Sequence, residues 1–460
     1  MKKILSIFAV LTLIFSLAAC NSAKETSGEK TKEKAGKKEE VTLSYANWNL
    51  GTEEEQNLER LMIKAFQEKY PHIKIEINET VNTKDWNGTL ATAASAGTMP
   101  DVFALPQIPL ALSNDWLLDI SELVSKDKDF ANVPQVVKDS AAYNGKTFAV
   151  PYGQHFLGYF VNKDLFNAAN LDYPEFGTPV EDFISGVKEV TNISKGIVGI
   201  NNPNSLVDWY PAAVNPDMGW YTLKDGQYSL DSTEFINGIN LAKEFSTNGY
   251  AYDTLTDEQK ANFKGKDGNE VFLQSGLAIK WDGTWAVPNL TEKATFDWDF
   301  IGFPGGVTAL AIDFAGISKS TKHPEEAYLF AKWMSFGKEG YMKRMELADT
   351  EGKVLNSLPI NTDQEILDEY FAINDVPGIR TAYDNLDKAI IEPVKMVPGY
   401  VDARWQALTG VTAGDKANAK TGELVESFVK GVLKVEDYAK QLDQLADQIS
   451  VEAQEALKNK

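Results

Sequence analysis

Apolar positions change period along this chain, and the changes mark out its elements. Val41-Thr42-Leu43-Ser44-Tyr45 alternates apolar with polar, as a strand with one buried face does. Leu58, Leu61, Met62, Ala65 and Phe66 then recur at helical spacing, with Thr52 and Glu55 spaced as a capping box ahead of them and Pro71 as a stop behind. Ile73, Ile75 and Ile77 alternate again. Strand, helix and strand in that order predict a parallel pair with a right-handed crossover. In such sheets ligands bind beyond the carboxyl ends of the strands, which puts Trp48 and Asn49 at the edge of a site.

The same alternation of types continues. Residues 86–96 read as an alanine-rich helix and Val102-Phe103-Ala104-Leu105 as a short buried strand. Asn144-Gly145 signals a tight hairpin. Pro151 and Gly153, directly after Phe148-Ala149-Val150, suit a crossing between lobes, and residues 157–161 form the next strand. Amphipathic helices are expected over 180–194, 232–247 and 324–336, and further helices over 403–411 and 435–456. Leu277-Ala278-Ile279 and residues 296–303 read as strands around a denser feature. There is no internal repeat. The pattern predicts an α/β fold.

That feature is Trp281-Asp282-Gly283-Thr284-Trp285, which joins two aromatic plates to a carboxylate and a turn glycine. Aromatic faces beside planar hydrogen-bonding groups suit a sugar ring, with its apolar C–H face and its rim of hydroxyls. A lone Trp is as readily core filler; the pair points to a site. Asp101, before its strand, reads either as a turn cap or as a ligand contact. Residues 201–220 are loop-rich and carry Trp209.

Composition bounds the chemistry. A chain of 460 residues needs two or more domains. The net charge of −21 argues against nucleic acid or anionic lipid bound through bulk charge. The single cysteine, Cys20, rules out an intrachain disulfide. His72, His155 and His323 sit at no metal-binding spacing, though His155 adjoins the expected crossing. No phosphate loop, dinucleotide fingerprint or nucleophile elbow occurs, so neither a cofactor nor a metal is expected. Acidic residues are numerous enough to leave a glycosidase's carboxylate pair open.

At the start, Met1-Lys2-Lys3 precedes an apolar run over 4–17 that is too short to span a bilayer. Leu17-Ala18-Ala19-Cys20 resembles a bacterial lipobox, which implies a signal peptide removed as residues 1–19 and a lipid on Cys20. Residues 21–40, rich in Lys and Glu and free of large apolar side chains, read as a flexible tether.

From residue 41 to about 450 the chain resembles the extracellular solute-binding protein family 1, the maltodextrin-binding-like substrate-binding lipoproteins of sugar ABC transporters. The likeness rests on Met99-Pro100-Asp101-Val102, Val150-Pro151-Tyr152-Gly153, Tyr159 to Phe166, Gly283-Thr284-Trp285, Ala315-Gly316-Ile317-Ser318 and Pro324-Glu325-Glu326-Ala327. It implies a two-lobed, periplasmic-binding-protein-like type II fold, each lobe a mostly parallel sheet flanked by helices. Residues 41–150 plus 302–346 would form one lobe, and 154–298 plus 350–460 mainly the other. Crossings would fall near 149–154, 299–303 and 344–353. Carried over by position, Asp101 becomes a sugar-hydroxyl acceptor, Trp285 and Trp405 become stacking plates, and Trp48, Tyr152 and Trp209 become further ligand contacts. Local chemistry adds Asp282, and Asn49, Trp281 and Asp313 complete the candidate set. Arg404, beside Trp405, reads as site or as ion pair. The implied protein is a monomer and no enzyme, holding an oligosaccharide on the extracytoplasmic face of the membrane for an ABC permease. The alternatives are a polyamine or other non-sugar solute on the same fold, or a lipid-anchored glycoside hydrolase.

Overall fold

The computed structural model describes residues 39–355 and 357–458; Cys20, the leader and most of the tether lie outside them. The strands in chain order are β1 Val41–Ala46, β2 Ile73–Ile77, β3 Val102–Leu105, β4 Ala142–Tyr143, β5 Lys146–Thr147, β6 Ala149–Asn162, β7 Val198–Ile200, β8 Leu277–Gly283, β9 Trp298–Phe300, β10 Ala309–Ile317 and β11 Ile390–Ile391. One sheet runs β2-β1-β3-β10-β6-β8-β7, with β11 on β10 and β9 on β6. Pairing is parallel for β1 with β2 and β3, for β7 with β8 and for β10 with β11. Every antiparallel pair in this sheet includes β6 or β10. These two strands run from one half of the molecule into the other, antiparallel to each other and to every neighbour but β11.

The first strand and helix show why the sequence folds this way. Leu43 and Tyr45 of β1 are fully buried, as the alternation requires. The following helix, Leu58–Lys69, buries Met62 and Phe66 and is capped by Asn57, whose side chain accepts from the Arg60 N–H. The expected Thr52/Glu55 box is half present: Glu55 accepts from the Thr52 N–H in a turn ahead of the helix.

Strand β6 has 14 residues, so it reaches about 45 Å at the usual rise. Pro151 and Gly153 do not end it; they bulge it. Phe314 of β10 pairs with Pro151 and Asp313 with Gly153, leaving Tyr152 without a partner in the ladder. Proline has no N–H to lose there. Beyond the bulge β6 alternates between two cores. Phe156 and Phe160 enter the first, which begins among β1, β2 and β3 and continues through residues 358–391 onto the back of the second half of the sheet. Leu157, Tyr159 and Val161 enter the second, with helices Val180–Val190, Ser205–Val214, Thr233–Thr247, Thr421–Val429 and Ala439–Leu457. Residues 358–391, expected mainly in the second lobe, therefore pack largely in the first core.

Two expected elements differ. The strand over 296–303 is regular only over Trp298–Phe300, because Gly302 turns at φ +60. The helix over 403–411 is a single widened turn, Asp402–Gln406, with an N–H donated five residues back from Ala407 to Asp402.

Gly302 also meets Gly158 of β6: a Cβ on Gly158 would lie 2.7 Å from the Gly302 backbone. Gly158→Ala should therefore cost about 2 kcal/mol, the scale of an overpacked core. Urea denaturation reads this directly, and an unchanged midpoint would show that the two backbones are not held together.

Candidate functional site

The floor of the cleft is the pair of crossing strands. Gly153 and His155 on β6 face Asp313 and Ala311 on β10. Around them Asn49, Tyr152, His155, Asp313 and Ser357 line one pocket, which Glu59 and Arg344 close from within. Asn49 arrives from the carboxyl end of β1. Tyr152 arrives through the bulge, and its hydroxyl donates to Glu59 Oε2 at 2.5 Å. The other oxygen of Glu59 is held by Arg344 at 2.5 Å. Burial first, then the Glu59 charge, pushes the Tyr152 hydroxyl well above its ordinary value, so it remains a donor. Burial likewise pushes His155 down to about 4; Asp313 opposes that shift and Lys395 adds to it. The imidazole is neutral at physiological pH, and its Nδ1 is buried without a partner among the described residues. Asp313 is tied to Lys395 in an ion pair.

One wall is built where β8 ends. Trp285 is 45% exposed, unusual for so large an apolar side chain. Its Nε1–H donates to Asp282 at 2.6 Å, and its ring centre lies 5.3 Å from that of His155. Gly283 makes room for the ring, since a Cβ there would lie 2.4 Å from it. Asp282 is held in turn by Lys280 at 2.6 Å, and Lys280 donates to Asn269.

A further group joins the floor through charge. Glu392, after β11, is pushed up to about 7 by burial, with Asp208 and Asp313 raising it and Lys395 opposing. Asp208 accepts from Arg404 at 2.9 Å. The Arg404 guanidinium lies over Tyr221 and over Trp405, whose ring meets the Tyr400 edge at 5.6 Å. At the mouth of β1, Trp48 meets Trp86 edge-on at 5.1 Å, and Trp86 donates to the Ala104 carbonyl.

Of the sequence candidates, the structure brings Asn49, Tyr152 and Asp313 around one pocket and links Asp282 to Trp285, whose ring meets His155 of that pocket. Trp48 lies against Trp86, and Trp405 against Arg404 and Tyr400, outside that lining. Three others stand apart. Asp101 sits at the amino end of β3, the end away from the cleft, and its carboxylate is already engaged by the Ser44 N–H at 2.8 Å and the Thr321 hydroxyl at 2.6 Å. That is a turn clamp, not a free acceptor. Trp209 is fully buried, stacked on Phe303 and donating to the Tyr159 hydroxyl, with no face for a solute. Trp281 is fixed through its backbone by Asn201, and its ring packs on the second core instead of beside Trp285.

Sequence reading missed Glu59, Arg344, Trp86, Asp208, Glu392 and Lys395. Glu59 and Arg344 look like exposed positions of amphipathic helices; only the tertiary fold makes them a buried pair. Among the described residues no group of three or more His, Cys, Asp or Glu is arranged to hold a metal ion.

A family model described as bacterial extracellular solute-binding protein matches residues 51–336. An uncharacterized ABC transporter extracellular-binding protein of Pyrococcus horikoshii is 23% identical over 392 residues, 79% of this chain and 81% of that one. An arabinooligosaccharide-binding protein of Bacillus subtilis is 24% identical over 255 residues, 53% of this chain and 54% of that one. Among solved structures, an ABC substrate-binding protein from Listeria monocytogenes in complex with cycloalternan is similar with a TM-score of 0.67 at 21% identity, covering 89% of this chain and 99% of that one.

The two shifted groups in the cleft act on stability in opposite senses. Glu392 is raised, so the folded state keeps a proton that the unfolded chain releases; its contribution is complete at low pH and is lost as pH rises through about 7. His155 is depressed, so stability is lost as pH falls from 6.5 toward about 4. Glu392→Gln should remove the first loss, and its melting temperature relative to the parent should rise between pH 5 and pH 8. A constant difference would show that the carboxyl keeps no proton on folding.

Proposed function

The chain belongs to the bacterial extracellular solute-binding proteins, and on that premise we propose that it captures a sugar between its two lobes and delivers it unchanged to the permease of an ABC importer. The sugar we propose is an oligosaccharide: Trp285, exposed beside His155, would stack one ring, and Trp48 and Trp405, each only partly buried, would extend the stacking surface. The named ligands of two relatives, an arabinooligosaccharide and cycloalternan, are in keeping with this. Residues 1–19 are removed as a signal peptide and a lipid on Cys20 anchors the monomer outside the cell, a reading that rests on the lipobox alone.

The observation that carries the ligand class is charge balance. Asp282 is paired with Lys280, Asp313 with Lys395, Asp208 with Arg404 and Glu59 with Arg344. Glu392 holds its proton to about pH 7. A cleft rich in donors and acceptors but without surplus charge fits a neutral polyhydroxylated solute. A polyamine would need unpaired carboxylates around its ammonium groups. Ligand bridging the lobes favours their closed arrangement by its differential contacts, and the permease reads that arrangement.

One observation favours a second reading. Glu392, raised, and Asp313 share a neighbourhood, the acid-and-carboxylate pattern of glycoside hydrolysis. New reducing ends on incubation with oligosaccharides would establish it; their absence removes it.

A thermal-shift screen of oligosaccharides against polyamines tests the ligand class, since a ligand at about 100 times its dissociation constant adds roughly 2.7 kcal/mol. Trp285→Ala should weaken binding of the sugar hit about tenfold or more, consistent with loss of one stacked aromatic, while the fold persists. Equal calorimetric affinity in that variant would take Trp285 out of the site.

A further inference from the structure

We propose that Tyr45, which is wholly buried, is a positioning residue for ligand capture: it fixes the loop that carries Trp48 and Asn49, through a chain of hydrogen bonds anchored on the Glu59–Arg344 pair. The inference rests on the sugar-binding reading above.

The chain is continuous and its direction is set at one end. Arg344 donates to Glu59 at 2.5 Å and, through its other nitrogen, to the Met334 carbonyl at 2.8 Å. Glu59, paired with Arg344, accepts from the Tyr152 hydroxyl at 2.5 Å. The oxygen of Tyr152 is then left to accept from Tyr45, 3.0 Å away. Tyr45 in turn accepts from Asn47 Nδ2 at 2.8 Å. With its amide so oriented, Asn47 presents Oδ1 to the backbone N–H of Asn49 at 2.7 Å. A single carboxylate thus dictates the orientation of each donor up to the loop at the cleft. Burial keeps the Tyr45 hydroxyl protonated.

The geometry singles out Tyr45 over its neighbours. It belongs to β1 and its ring packs edge-on against Phe330 at 4.9 Å, so its body is held by the core and only its hydroxyl serves the relay. Leu50 is buried in the first core and Trp48 meets Trp86. Asn57 holds the Asn49 carbonyl and Arg60 holds the Leu50 carbonyl, both from the helix side; the Asn47 side chain is the loop's polar link to the core among the described residues. Releasing it frees Trp48 and Asn49 to sample orientations that must be narrowed again when a sugar stacks.

The test uses the full chain and the sugar identified by the thermal-shift screen. Tyr45→Phe removes the hydroxyl and keeps the ring. Its affinity should fall roughly five- to tenfold, the scale of one neutral buried hydrogen bond. In a Trp48→Ala, Asn49→Ala background the same substitution should change affinity less than about twofold, because the coupled partners are gone. A loss of equal size in both backgrounds is general softening and overturns the proposal, as does an unchanged affinity in Tyr45→Phe alone. Glu59→Gln, checked for native packing by near-ultraviolet circular dichroism, should reproduce the effect from the far end of the chain. Amide hydrogen exchange in the free protein gives a readout independent of any sugar. The Asn49 amide should exchange about tenfold faster in Tyr45→Phe, and unchanged exchange sinks the inference. If the parent binds no sugar, the ligand assignment falls, while the exchange result still decides whether Tyr45 holds the loop.

Discussion

The backbone ladder between β6 and β10 is the constraint on which the molecule depends. It is the seam where two halves of a sheet become one, and its hydrogen bonds satisfy polar groups that would otherwise be stranded between two hydrophobic cores. The two strands run against each other and against β3, β8 and β9, while the outer pairs keep the parallel order that strand–helix–strand units impose. The same seam bears the site. His155 and Asp313 project from it, Tyr152 bulges from it, and Trp285 rests on His155. A cleft floor made of paired backbone positions its side chains more firmly than loops do.

Charge placement follows from that location. Groups held between two cores are poorly solvated, so each needs a partner or must give up its charge. Both solutions occur within a few residues. Arg344 and Arg404 are buried yet hydrogen-bonded to Glu59 and Asp208, whereas His155 and Glu392 are shifted toward their neutral forms. The outcome is a polar cleft with little net field inside a strongly acidic chain. The net charge of −21 therefore describes the surface and gives no guide to the ligand.

Local order was legible in the sequence; closure of the chain on itself was not. Alternation located β1, β2 and β3, and Asn144-Gly145 gave its hairpin because both residues adopt left-handed φ. The pairing of Trp285 with Asp282 is legible because it is local, three residues apart across a tight turn. Asp101 and Trp209 failed as cleft residues for complementary reasons. A carboxylate before a strand and an indole in a helix look alike whether they face solvent, backbone or core, and only Ser44, Thr321 and Phe303 decide. Glu59 and Arg344, at distant points of the chain, leave no periodic trace. Residues 403–411 read as a helix, yet Trp405 stands on a widened turn. Backbone of that kind is uncommon, and sequence period does not register it.

The bulge at Tyr152 ties the crossing strands to the pocket. In a regular ladder, bending a strand disturbs every pair along it; where one residue is unpaired, bending is absorbed locally. β6 and β10 lose register at one place, between Asp313 and Phe314, and the residue released there is the one that joins the cleft to the Glu59–Arg344 pair. Arg344 is bound to the Met334 carbonyl as well as to Glu59, which fixes the relay to the first core. On the far side of Tyr152, Gly153 sits against Asp313 and the neutral His155 imidazole meets Trp285.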